Sequence, residues 1–175
     1  MILYQMSVFL HILSAIIWIG GMLFLALVVV PATRGLPPAE RASVFGAVGR
    51  RFRAVGWGCI GVLIVTGVVN LTYRGVTVES LLTTQLWGSP FGTTLALKLA
   101  VVAVMLGLSA YHDFVIGPRS VKILKLAGSE ASPALLTEAR RLRARASIVG
   151  RVETLLALVV LILAVMIVRG IPSLF

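Results

Sequence analysis

The sequence predicts an all-α protein, an integral membrane four-helix bundle, from its composition, its apolar runs and the placement of its positive charges. Hydrophobic residues make up 59% and charged residues 13% of the 175 residues, whereas an average soluble domain is about half apolar and about a quarter charged. Four apolar runs are each long enough to cross a ~30 Å hydrocarbon core as a helix. They lie at about residues 3–30, 54–73, 93–116 and 152–168, within a single membrane domain that covers residues 1–175.

The runs are apolar on all sides, which favours helices, because a helix satisfies its own backbone hydrogen bonds in lipid. The first run has no basic stretch before it and no clear small-x-small cleavage site. We therefore expect a retained helix in this position and not a cleaved signal peptide.

The positive charge of the chain is concentrated in two loops. The formal net charge is +10, and most of the 16 basic residues lie between spans one and two or between spans three and four. By the positive-inside rule both loops are cytoplasmic, so both termini and residues 75–92 face outward. These are the loop residues: Arg34, Arg41, Arg50, Arg51 and Arg53 in the first; Arg119, Lys122, Lys125, Arg140, Arg141, Arg143, Arg145 and Arg151 in the second.

The orientation also predicts the partners of the basic loops. We expect a multi-pass protein of the plasma (inner) membrane whose basic loops contact the anionic inner leaflet, and no nucleic-acid binding. Ser132 and Pro133 give a helix start signal, and Pro37-Pro38 opens the first loop in the same way. Basic amphipathic helices are therefore predicted in both loops.

The few polar residues within the spans are the candidate functional residues, because ionisable groups in a membrane are costly. His11 and Trp18 are seven residues apart on span one, and Lys98 and Met105 are seven apart on span three. With a rise of ~1.5 Å per residue, His11 and Lys98 lie at nearly the same depth, in the outer half of the membrane. Span two places Thr66 and Asn70 in that half as well, and span four places Met166 there. One outer site is predicted, with His11 as the metal or ligand-binding residue and Lys98, Trp18, Met105 and Asn70 around it.

A simpler interpretation stays open for the same residues. Trp18 and Met105 are then core residues, His11 bonds across helices, and the Lys98 side chain extends to the membrane surface. Cys59 is interpreted as a small buried apolar residue.

A second polar cluster is predicted near the cytoplasmic face. His112 lies about 20 Å deeper than Lys98 along the same helix, so His11 and His112 cannot ligate one metal or one haem iron within a subunit. Its expected neighbours are Asp113, Glu153 and Arg119, with Arg151 close by.

Short motifs in all four spans, in the same order, resemble those of the copper resistance protein D family. They are His11–Leu13 and Trp18–Gly21 in span one, Arg51-Phe52 and Thr66-Gly67 before and in span two, Phe91–Leu99 at span three, and Glu153 before span four. The resemblance implies a minimal four-helix member of that family and copper as the possible ligand.

The chain also resembles the HemJ-type protoporphyrinogen oxidases, small four-helix membrane proteins thought to bind haem b. His11, Trp18, Lys98 and Tyr111-His112 occupy comparable places, whereas Pro31–Arg34 departs from the Leu-Pro-Arg sequence that follows the first helix there. This resemblance implies haem b as the alternative cofactor.

Three functions remain for these residues. The first is binding or transport of copper, or of a related metal or redox ligand, at an intramembrane His/Lys site formed by His11 and Lys98. The second is a haem b redox protein of the kind that includes oxidases. The third is a non-catalytic subunit of a larger membrane complex, in which His11 and Lys98 serve packing or lipid contact. The expected assembly is a homo-oligomer or such a complex.

Overall fold

The computed structural model describes residues 1–129 and 132–170, and the regular structure of these residues is helical. Four long helices are joined by short turns, and two short helices lie in the connection between the second and the third. We number them in chain order: α1 Ile2–Ala32, α2 Pro38–Tyr73, α3 Val78–Leu81, α4 Thr84–Gly88, α5 Pro90–Tyr111 continuing through His112–Ile116 into Gly117–Ser129, and α6 Pro133–Arg169.

The four long helices of the described residues are long and apolar enough to span a membrane, so the predicted all-α membrane bundle is confirmed. The helices extend well beyond the apolar runs. α2 and α6 begin at prolines in the basic loops and continue without a break into the spans, because proline is favoured in a first helical turn. The predicted loop helices are therefore extensions of the spans. The orientation of the bundle stays a prediction, and the terms outer and inner end follow it below.

Helices α1 and α5 each contain one turn of π-helix, at Leu25–Val29 and His112–Ile116. In both turns the residue directly before a proline donates its N–H to the carbonyl oxygen five residues earlier. Val30 donates to Leu25, and Gly117 donates to His112. Proline lacks an N–H and its ring clashes with the carbonyl four residues earlier. Pro31 and Pro118 thus explain both wide turns.

The long helices form a ring in which α1 packs on α2, α5 on α6, and α6 on α1. α2 packs against the inner segment of α5, Gly117–Ser129, whereas Pro90–Tyr111 packs mainly on α6. Many large apolar side chains point outward, among them Phe9, Ile64 and Ile162. Such a surface suits lipid, since lipid tails are as apolar as the side chains they replace.

Candidate functional site

The polar residues inside the bundle form two clusters separated by an apolar layer. We name the outer cluster His11, Thr66, Asn70 and Lys98, and the inner cluster Trp57, Ser109, His112, Asp113 and Glu153. The apolar layer consists of Trp18, Ile19, Cys59, Ile60, Met105 and Ala157, which are buried against one another.

A hydrogen bond between α1 and α2 organises the outer cluster. The Nδ1 atom of His11 lies 2.8 Å from the Oγ1 atom of Thr66, and that hydroxyl donates to the carbonyl oxygen of Val62 at 2.6 Å. A threonine hydroxyl has one proton to donate, and here the proton is directed to its own helix. Thr66 therefore accepts from Nδ1–H of His11. In the neutral imidazole the Nε2 atom then carries the free lone pair.

Close packing keeps this arrangement in place. A Cβ atom added at Gly67 would touch the Cε1 atom of His11, and one added at Gly56 would touch the ring of Trp18. Ser7, one turn before His11, donates to the carbonyl oxygen of Thr66 at 3.4 Å. Small residues of α2 thus allow α1 to approach closely, as is common between membrane helices.

Two positive charges act at the outer cluster. Lys98 is close enough to interact electrostatically with His11, and Arg74 is close enough to interact with Lys98. Arg74 is held by a hydrogen bond of 2.9 Å from its guanidinium to the carbonyl oxygen of Ile167. Within the described residues neither cation has an ion-pair partner. The Oδ1 atom of Asn70, one turn outward from Thr66, is buried without a hydrogen-bond partner.

Trp18 and Met105 belong to the apolar layer. Their exposed fractions are 6% and 1%, and both pack in the core formed with Cys59, Ile60 and Ala157. Of the five residues predicted for the outer site, the structure thus places His11, Lys98 and Asn70 at the polar cluster. The other two lie in the layer beneath it.

In the inner cluster, α6 and α5 are joined through a buried carboxyl group. Glu153 is 7% exposed, and its Oε1 atom accepts a hydrogen bond of 2.6 Å from the hydroxyl of Ser109. Asp113 accepts a bond of 3.1 Å from the indole N–H of Trp57 on α2. The Nδ1 atom of His112 lies 3.3 Å from the other oxygen of Asp113.

Arg119, predicted as a neighbour of His112, makes its side-chain hydrogen bonds with a different residue. It pairs with Glu138 of α6 at the surface of the loop helices, through two guanidinium nitrogens. Arg151 is exposed.

The two histidines occupy different sites. On α2, His11 is bonded to Thr66, whereas Asp113, the partner of His112, is bonded to Trp57. These two positions are nine residues apart, which is about 13 Å along the helix. In residues 1–129 and 132–170, no three His, Cys, Asp or Glu side chains are arranged to hold a metal ion. A metal bound at His11 would therefore need ligands of other kinds.

Sequence reasoning missed Trp57 and Ser109 as members of the inner cluster. Ser109 lies one helical turn before His112 and Asp113, so its spacing was a usable signal. Trp57 is on another helix, and only the packing of α2 on α5 brings its indole to Asp113. Thr66 was predicted at the depth of His11, but its bond to the imidazole depends on the rotation of two helices about their axes.

The fold and these clusters define a small multi-pass membrane protein with ionisable groups buried among its spans. The sequence model of the family described as copper resistance protein D matches residues 46–167, and the chain belongs to this family. It is also 34% identical over 118 residues to an uncharacterized protein of Aquifex aeolicus (strain VF5), covering 67% of this chain and 73% of that protein. No solved structure matches the chain.

Proposed function

We propose that this CopD-family membrane protein binds or moves copper as its cargo, and that the Nε2 atom of His11 is the metal-binding atom. The hydrogen bond from Nδ1 of His11 to Thr66 carries the proposal. With the Thr66 hydroxyl donating to Val62, this bond favours the tautomer in which Nε2 has a free lone pair, and imidazole is a good ligand for copper. Bonding of the second ring nitrogen is typical of metal-ligating histidines.

The rest of the outer cluster supports a weak, exchangeable site. His11 is its only imidazole, and the described residues offer no group of three His, Cys, Asp or Glu side chains that could hold a metal ion. Lys98 repels a bare cation, so copper is expected to enter with an anionic ligand that Lys98 can balance. The unpartnered Oδ1 atom of Asn70 is a further polar atom that a bound complex can satisfy. Loose binding of this kind suits a metal that is passed on.

Copper binding to purified protein tests the proposal. We expect His11→Ala to weaken copper binding at least tenfold, because the metal-binding atom is removed. The matched control is His112→Ala, which removes the histidine of the inner cluster and should leave the affinity unchanged. Equal copper binding by wild type and His11→Ala would reject the proposal.

A second candidate is a haem b protein, and the pair of positive charges favours it. His11 would hold the haem iron through Nε2, and Lys98 and Arg74 would pair with the propionates, which are carboxylates. Bound haem would supply one-electron redox chemistry.

The absorption spectrum of the purified protein separates the two candidates. A Soret band that is lost in His11→Ala and weakened in Lys98→Met would support haem. The control Lys122→Met changes a lysine of the loop helices and should keep the band. Colourless protein that still binds copper through His11 would reject the haem proposal and support the copper proposal.

We further propose that the basic ends of the bundle face the cytoplasm in the plasma (inner) membrane. Single cysteines at Gly75 and at Ser129, in a Cys59→Ser background, should react with a membrane-impermeant reagent from opposite sides. Gly75 lies in the outer turn, where its φ of 78° is natural for glycine, so Thr77→Cys is a second position for the same label. Labelling of both ends from one side would contradict this topology.

A further inference from the structure

We infer that Glu153, with His112 and Asp113, forms a proton-exchange site that opens to the inner end of the bundle and is closed from the outer cluster. The inference uses the inner cluster alone and goes beyond copper binding at His11. The ligand is the proton, taken from water and returned to it.

The burial of Glu153 is the first observation. It is 7% exposed within a membrane-spanning helix, and in the described residues no lysine or arginine forms an ion pair with it. A buried carboxylate without a paired cation is costly, and proton uptake removes that cost. Ser109 donates to Oε1, which leaves Oε2 as the oxygen that takes up the proton.

The second observation is that the titratable neighbours of Glu153 are less buried than Glu153 itself. The side chains of Asp113 and His112 are 22% and 39% exposed, respectively, against 7% for Glu153. The charges of both groups act on Glu153. The imidazole of His112, whose Nδ1 atom lies 3.3 Å from Asp113, has one nitrogen that donates and one that accepts when neutral, which suits it for passing a proton.

The neighbouring helices identify the groups that control this exchange. From α5, the titratable groups facing Glu153 are His112 and Asp113. From α2, Trp57 is bonded to Asp113, and Arg53 lies over the ring of Phe114. α1 carries no charged residue between His11 and its inner end, and on α6 itself Arg151 is exposed.

The apolar layer ends the path. Met105, 1% exposed, lies one turn outward from Ser109, and Ala157, 2% exposed, lies one turn outward from Glu153. No proton-carrying side chain stands among the six members of the layer except the thiol of Cys59. Protons that reach Glu153 therefore return to the inner end. On uptake the carboxylate becomes a neutral carboxyl group, and on release it becomes an anion again.

Infrared spectroscopy of copper-free protein in lipid nanodiscs tests the inference. We expect a carboxyl C=O band that appears as the pH is lowered, is absent in Glu153→Gln and is kept in the control Glu138→Gln, which changes a glutamate of the loop helices. The glutamine variant preserves the side-chain shape and an acceptor for Ser109. Circular dichroism and a single elution peak establish that each variant folds.

Hydrogen–deuterium exchange of the same band tests the path. After transfer into D2O, we expect exchange to slow at least tenfold in His112→Phe and in Asp113→Asn. The control His11→Phe, on the far side of the apolar layer, should exchange like wild type. Absence of a band sensitive to Glu153→Gln, unchanged exchange in both inner variants, or equal slowing in His11→Phe would overturn the inference. None of these outcomes bears on copper binding at His11.

Discussion

The outer and inner clusters each contain one histidine, but their electrostatic surroundings are opposite. His11 lies beside Lys98, and the outer cluster contains no carboxylate. His112 lies beside Asp113 and near Glu153. The outer cluster therefore suits an anion or a metal complex that carries one, whereas the inner cluster suits protons. In these proposals one residue type serves two chemistries, and the neighbouring charges decide between them.

The largest expected effect is on the layer that separates the clusters. Met105→Ala removes a fully buried side chain between them, and we expect a loss of about 2 to 3 kcal/mol in the free energy of unfolding, mainly from lost packing. Val104→Ala, at a position 54% exposed towards lipid, should change stability far less. Unfolding in detergent mixtures measures both. Similar losses in the two variants would contradict the separating role of Met105.

The next effect concerns the tautomer of His11. Thr66→Val removes the hydroxyl that accepts from Nδ1 with little change in shape. We expect ligand affinity at His11 to fall about 10- to 100-fold, as for other partners of metal-ligating histidines. The control is Thr72→Val, because the hydroxyl of Thr72 donates only to Val69 of its own helix. Full affinity in Thr66→Val would show that the bond does not prepare His11 for a ligand.

A smaller effect is expected in the inner cluster. Trp57→Phe removes the indole N–H that donates to Asp113, and hydrogen bonds between membrane helices contribute about 0.5 to 1.5 kcal/mol. Trp87→Phe is the control, since its indole N–H donates to Leu81 in the outer connection. Equal stability of the Trp57→Phe variant and wild type, by the same unfolding assay, would show that Asp113 is held in place by other groups.

The smallest effect is expected at Arg119. Its pair with Glu138 is solvent-exposed, with 60% of the arginine side chain accessible, and such pairs contribute about 0 to 1 kcal/mol. Arg119→Gln should leave both copper binding and the infrared band of Glu153 unchanged. A shift of that band would show that Arg119 acts on the inner cluster, as the sequence analysis predicts.

The sequence was sufficient for the parts of the fold that depend on hydropathy and rise per residue. The four spans and the common depth of His11, Lys98, Thr66 and Asn70 follow from those two quantities. The hydrogen bond of His11 to Thr66 and that of Trp57 to Asp113 depend on how each helix is rotated about its axis, which a span apolar on all sides does not encode. The pair of Arg119 with Glu138 depends on the helical extensions beyond the spans.

The unequal packing of α2 along α5 has a mechanical consequence. Its contacts concentrate on Gly117–Ser129, at the inner end, and α2 and Pro90–Tyr111 have few close backbone contacts. We therefore expect the bundle to be held more tightly where its helices leave the spans than around the outer cluster. Separation of the α1–α2 hairpin from α5 and α6 requires the least work at the depth of His11. Slow conformational exchange, where it occurs, is therefore expected to begin there.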